Sequence, residues 1–259
     1  MNARDLAPPL LFGLAVLILW EAGVRLAGVP AVILPSPSAI ALRLAVSVPT
    51  LVADFLQTMR GVFAGYALGS AAGLLIAILI DRSTFLQRGL LPLGHLVSAL
   101  PIVGVAPIMV MWFGFDWQSK AAVVVVMTFF PMLVNASAGL KSAGAMERDL
   151  LRTYAADYRQ TLLKLRLPAA LPFVFNALKI NTTLAMIGAI VAEFFGTPTV
   201  GMGFRISTEV GHLSIDMVWA TIAVAAVTGS LFYAIVAGVE RRATFWHASY
   251  RARALEEST

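Results

Sequence analysis

Cysteine is missing from all 259 residues, which excludes disulfides, thiolate metal sites and cysteine nucleophiles. Charge is scarce as well. Asp, Glu, Lys and Arg make up 13% of the chain, where a soluble domain carries about 25%. Hydrophobic residues make up 59%, and the mean hydropathy is +0.84. A soluble chain could reach that apolarity only by burying nearly all of its surface, which surface-to-volume scaling forbids at this length. Lipid is therefore the expected solvent. Catalytic signatures are absent too. No phosphate loop occurs, the nearest string being Gly139-Leu140-Lys141-Ser142, which lacks both glycine positions. There is no His-Glu-x-x-His, and His95, His212 and His247 lie on separate segments. No Gly-x-Ser-x-Gly elbow occurs. Two glycosylation-like strings, Asn135-Ala-Ser and Asn181-Thr-Thr, fall in apolar runs and are discounted. No fixed-period repeat is visible. The chain is not expected to be an enzyme or to bind a metal.

What is present is a series of long apolar runs: Pro8–Leu26, Val62–Ile80, Leu90–Phe113, Ala121–Leu140, Leu171–Phe195 and Val218–Val239. About 20 apolar residues as a helix cross a 30 Å hydrocarbon core. Each run is apolar all round, without the alternation of barrel strands, so about six transmembrane helices are expected in an all-α, polytopic chain. Pro92, Pro101 and Pro107 should kink or break the third run. A cleavable signal is the competing reading of the first run, but Asp5 cancels the charge of Arg4 and the run approaches spanning length; a retained helix is expected.

The net charge of +5 and pI near 9.9 do not mark a nucleic-acid partner, because the basic residues sit between apolar runs and not in one patch. With the N-terminus inside, thirteen of the 19 Lys and Arg fall on inner segments, five on outer ones, and Lys179 near a helix start. That is a positive-inside bias with both termini cytoplasmic. Lys179 is expected to snorkel to the inner headgroups. On the outer side, the prolines of LPSPSAI (Leu34–Ile40) favour an extended segment before a short helix. Gly61, Gly65, Gly69 and Gly73 form one helical stripe that lets another helix approach closely, within the subunit or from a second copy.

The segment 142–167 is long, charged and helix-forming on the inner side. Leu150, Tyr154 and Tyr158 share a helical stripe, while Glu147 and Asp149 suit a helix N-terminus. One helix is expected over Met146–Thr161, stopping before Pro168. Such a helix can lie flat in headgroups; its small stripe with two tyrosines favours a peg for a protein partner.

This segment resembles the signature cytoplasmic loop of binding-protein-dependent permeases of ABC importers: Glu-Ala-Ala, three residues, Gly, nine residues, Ile-x-Leu-Pro. Arg166-Leu167-Pro168 matches its end, and Arg152-Thr153-Tyr154-Ala155-Ala156-Asp157 its middle. Ala155 stands at the family glycine, and Asp149-Leu150-Leu151 replaces the start; alanine prefers ordinary helix geometry, so a kink there is not expected. Similar to the same family are LPSPSAI, Ala99-Leu100-Pro101, Ala106-Pro107, Trp112-Phe113-Gly114 with Ser119-Lys120, Phe129-Phe130-Pro131, Ile190-Val191-Ala192-Glu193 and Gly201-Met202-Gly203. They resemble the branch handling nitrate, sulfonates, taurine and thiamine-pyrimidine precursors, with a lean toward the last.

The resemblance implies the MetI-like fold of type I importer permeases: one transmembrane domain over 1–259, with an N-terminal helix at about 8–26, an importer core at about 58–240 and the coupling segment at 142–167. It implies a bacterial inner-membrane location, no cofactor on this chain, and ATP and Mg on a separate ATPase subunit. Implied partners are that ATPase, a periplasmic or lipid-anchored binding protein, a second permease copy and membrane lipid. Glu147, Asp149, Leu150, Arg152, Thr153, Tyr154, Ala155, Ala156, Asp157 and Tyr158 become ATPase-coupling residues. Polar groups in spans tend to face a bundle interior, so His95, Asn135, Asn176, Thr183, Met186 and Glu193 are candidate pathway contacts, with helix–helix hydrogen bonding as the other role. Glu193 ends a run of roughly 22 residues, about 33 Å of helix, which places it at the outer interface, partly hydrated. Gly196, Pro198, Gly201 and Gly203 would let the next stretch bend. An ATPase-independent carrier is the rival, but secondary carriers often show inverted repeats, and none is found.

Overall fold

The computed structural model describes residues 3–98, 100–196 and 199–245; Pro198, His247, Arg251 and Arg253 lie outside the described residues. Helices α1 (Ala3–Leu26), α2 (Pro37–Val46), α3 (Val48–Ile80), α4 (Thr84–Ser98), α5 (Ile102–Phe113) and α6 (Trp117–Lys141) are followed by the short α7 (Ala145–Thr153). Then come α8 (Tyr158–Thr161), a π-helical turn over Leu162–Arg166, and α9 (Leu167–Phe195), α10 (Met202–Gly211) and α11 (Ile215–Ala243). Among the described residues, five helices are long and apolar enough to cross a membrane: α1, α3, α6, the α8–α9 rod and α11.

The expected third span is not one helix. It divides into α4 and α5, with Pro101 as the N-cap of α5, because a proline has no N–H for an interior turn. Pro92 and Pro107 stay inside their helices. The second span is longer than its apolar run. The polar residues Asp54, Thr58 and Arg60 do not stop α3, since Asp54 and Thr58 are buried against partners. Its 33 residues measure about 50 Å.

The core grows from one seam. Gly61, Gly65, Gly69 and Gly73 face Lys120, Val124, Thr128 and Met132 of α6, a spacing of four on both helices. A Cβ at Gly65 would stand 2.5 Å from Val124 Cβ, and one at Gly73 2.9 Å from Met132 Cβ. No side chain larger than hydrogen fits, and the stripe packs helices within the subunit. Asn181 of α9 clamps the seam: its amide donates to Ser70 Oγ at 3.0 Å and to the Thr128 carbonyl at 2.9 Å. Interhelical bonds of this kind substitute for water that the bilayer does not supply. Against the seam pack Ala185, Met186 and Ala189 of α9 and Phe232 and Val236 of α11.

Helix α1 stands outside this core. Glu21 accepts from the Ser38 N–H at 2.9 Å and the Ser38 hydroxyl at 2.8 Å, and Trp20 meets Trp219 edge-on at 5.0 Å. Ser36 caps α2. The serines of LPSPSAI thus dock the first span onto the rest.

Candidate functional site

The chain between α6 and α9 is not the single helix expected over Met146–Thr161. Gly144 starts α7, which ends at Thr153 in a Schellman turn: the Ala155 N–H donates to the Arg152 carbonyl at 2.9 Å and the Ala156 N–H to the Leu151 carbonyl at 3.0 Å. Ala155 takes the left-handed position with φ 50°. The kink associated with the family's glycine is therefore present with alanine in its place, contrary to the expectation from alanine's helix preference. Two satisfied carbonyls and the next helix start offset a left-handed cost of about 1–2 kcal/mol. That next start is Asp157, whose carboxylate accepts from the Gln160 N–H at 2.7 Å while Gln160 reaches back to the Asp157 N–H at 3.1 Å. It is a capping box.

The break separates two roles that share one stripe in the sequence. Met146, Leu150 and Tyr154 are 84%, 56% and 76% exposed. They form an apolar face on α7 and its end that none of the described residues covers. Glu147 lies in the first turn; Asp149 pairs with Arg152 at 3.2 Å in solvent, and Thr153 donates to the Leu150 carbonyl. Tyr158 leaves the stripe. Its hydroxyl donates to Asp81 at 3.0 Å, and its ring lies under Arg82 at 4.9 Å. Nor does helical structure stop before Pro168. The π turn carries the helix through, with the Leu167 N–H donating to the Leu162 carbonyl, and Pro168 then sits in the first turn of α9, where its missing N–H costs nothing.

On the other side of α9 runs a groove against α11. One part, about 650 Å³, is lined by Thr183, Met186, Ile190, Ile206, Ser230 and Tyr233, among others; a second, about 360 Å³, shares Thr183 and Tyr233 and adds Asn176 and Lys179. The stripe Asn176, Thr183 and Met186 therefore does line one face. Asn176 also donates to Asn135 at 3.3 Å, and Met186 is mostly core. Nothing in the sequence singles out Tyr233 and Ser230, since a tyrosine and a serine in an apolar run carry no spacing signal. Lys179 does not snorkel: it pairs with Glu240 at 2.6 Å. His95 falls on α4, its side chain outside the described part of the structure.

Glu193 is buried among side chains and not partly hydrated: it is 2% exposed, accepting from Thr58 at 2.8 Å and from the Gly203 N–H at 2.7 Å. The neighbouring amides are held likewise, Met202 by Thr58 at 2.9 Å and Gly201 by Asp54 at 2.9 Å. Side chains of α3 and α9 thus cap the N-terminus of α10 from outside it. Asp54 also accepts from Arg205 at 2.8 Å, and that bond lifts the Arg205 pKa above its ordinary value. Lys120 donates to the carbonyls of Phe115 and Gly196. The glycines allow close approach: Gly201 has φ 145°, and a Cβ there would lie 2.7 Å from the Glu193 carboxyl carbon.

Long apolar helices, a groove along two of them and an uncovered amphipathic helix between two spans make a multi-pass membrane permease. Residues 69–245 match the family described as binding-protein-dependent transport system inner membrane component, and the chain belongs to it. It is thus a permease of an ABC importer, in the nitrate, sulfonate and taurine branch, and a multi-pass inner-membrane protein without an enzymatic centre of its own. It is 33% identical over 239 residues to the formylaminopyrimidine transport permease protein ThiX of Halalkalibacterium halodurans, covering 92% of this chain and 95% of the relative. It is 31% identical to the riboflavin transport system permease protein RibX of Chloroflexus aurantiacus, over 90% and 88%. To the putative aliphatic sulfonates transport permease protein SsuC of Bacillus subtilis it is 29% identical, over 93% and 88%. The fold matches a crystal structure of an amino acid ABC transporter with TM-score 0.63 at 16% identity, over 78% of this chain and 97% of that one.

Proposed function

We propose that two copies of this chain form the pathway of an importer for a small, uncharged heteroaromatic solute of the pyrimidine-precursor or vitamin type, with sulfonate, taurine or nitrate as the next choice. A periplasmic or lipid-anchored binding protein delivers the solute. The N- and C-termini and α7 face the cytoplasm, as the distribution of Lys and Arg favours. There α7 seats in a cleft of an ATPase subunit, which holds ATP and Mg; this chain binds neither. The observation that carries the reading is the uncovered face of Met146, Leu150 and Tyr154 on a helix between two spans. An apolar stripe that includes an aromatic anchor is what a protein cleft recognises.

The groove supports the solute class. Its walls are Ile187, Ile190, Val191 and Ile222, with hydroxyls from Thr183, Ser230 and Tyr233. Among the described residues that line it, Lys179 carries the positive charge, and Glu240 already neutralises it. An anion would cross such walls uncompensated; a flat neutral ring with hydrogen-bonding edges would not. Ile187 and Ile222 remain 46% and 40% exposed, so the groove is open along one side, where the second copy closes it. Proteoliposomes carrying the whole importer should take up formylaminopyrimidine with ATP inside and leave an aliphatic sulfonate outside. Uptake without ATP would revive the carrier reading, and uptake of the sulfonate alone would overturn the solute class.

A further inference from the structure

In the sequence Asp81 is a lone acid after an apolar run. In the structure it is the C-cap of α3, and its side chain is 3% exposed. Its carboxylate receives both terminal nitrogens of Arg166, at 2.6 and 2.7 Å, and the Tyr158 hydroxyl at 3.0 Å. Arg166 also donates through Nε to the Leu140 carbonyl at 2.9 Å, in the last turn of α6. One buried ion pair therefore joins the ends of α3 and α6 to the π turn just before α9, and Tyr158 adds the start of the α8–α9 rod to it. A fork-to-fork pair fixes angle as well as distance. Arg166 is the last residue of the π turn. A π turn inserts one residue into the helical register and rotates the downstream helix by about 100°, and this sets the direction in which Arg166 points.

We infer that the Asp81–Arg166 pair, steadied by Tyr158, is the joint through which displacement of α7 and the rod behind it reaches α3, and that Asp81 and Arg166 are positioning residues for coupled transport. This rests on the reading of α7 as the ATPase-docking helix. Without the joint, α7 is held by the three-residue link Ser142–Gly144 to α6 and by the four-residue connection Tyr154–Asp157 to the rod, and it could follow the ATPase without carrying the end of α3. With it, the three helix ends and α7 move together.

The cysteine-free chain permits a direct test. Arg152→Cys on α7 and Leu79→Cys on α3 are spin-labelled in the assembled importer, and their separation is read at rest and after trapping with MgADP and vanadate. With Asp81 and Arg166 intact the separation stays the same in both states. In Asp81→Asn the resting separation is kept, and the trapped one shifts and broadens. The exchange Asp81→Arg with Arg166→Asp returns a constant separation. An Asp81→Asn importer that matches the unaltered one in both states overturns the joint. So does an Asp81→Asn separation already lost at rest that the exchange does not restore, since the pair would then only hold the fold. Tyr158→Phe, which removes one hydroxyl, gives a smaller shift of the same sign where Asp81→Asn fails to assemble, and no shift would overturn the joint. Retention of the ATPase on a tagged chain separates the two readings. If Leu150→Asp does not reduce retention, the docking reading fails; if it does and Asp81→Asn is silent, the joint alone fails.

Discussion

The two ends of α3 are built from the same materials to different effect. Near its start, Asp54 and Thr58, with Glu193 of α9, hold three consecutive amides of α10, and the acids are almost wholly buried. At its finish, Asp81 takes one arginine and one phenol, and just beyond stands an exposed helix ended by an alanine in a left-handed turn. The first end uses side chains to replace lost water around a helix terminus and leaves nothing free for a partner. The second uses one ion pair to fix direction and keeps an apolar face open. Closure of a groove needs the former, and receipt of force from another subunit needs the latter.

Four substitutions probe this contrast. Asp54→Ala leaves Arg205 without its main partner and the Gly201 amide unsatisfied. It should cost about 3 kcal/mol, seen as a lower melting temperature in detergent with the α7 end unaffected in ATPase binding. Tyr154→Asp should do the opposite: no change in melting, because the side chain is 76% exposed, and an ATPase affinity weakened by about 2 kcal/mol, roughly thirtyfold, with hydrolysis uncoupled from uptake. Glu193→Gln keeps shape and removes charge. About 1 kcal/mol of stability should go, with uptake and binding-protein-stimulated hydrolysis lowered a few-fold; if both hold at the unaltered level, Glu193 is a helix-end anchor and nothing more. Ala155→Gly should be smallest, a gain of about 0.5 kcal/mol as relief of the left-handed strain outweighs glycine's entropy, with uptake within error of the unaltered chain.

The spans are legible in the sequence because apolar length needs no partner to be read, and the glycine stripe because its period of four survives any context. The break within Leu90–Phe113 is legible from Pro101. What stays hidden depends on tertiary partners. Asp54 and Thr58 look like the edge of an apolar run, yet α10 reaches back across more than 140 residues of chain to satisfy them. Glu193 looks like a hydrated helix end for the same reason. The kink at Ala155 runs against alanine's propensity, and the π turn carries helix past Pro168 where a proline ordinarily stops it. Tyr158 belongs to the stripe only on a continuous helix; once the turn is in place, the residue faces Asp81. In each case a local rule is overruled by hydrogen bonds made at a distance in sequence.

The central claim, that the uncovered α7 face is the seat of the ATPase, is tested most directly by cross-linking from single cysteines, since the native chain contributes no background thiol. Cysteines placed at Leu150, Tyr154 and, at the opposite end, the 62% exposed Leu213 are treated with a short thiol-to-amine reagent in membranes containing the whole importer. The account predicts ATPase adducts from Leu150→Cys and Tyr154→Cys and none from Leu213→Cys. An adduct from Leu213→Cys with none from the α7 positions would contradict it.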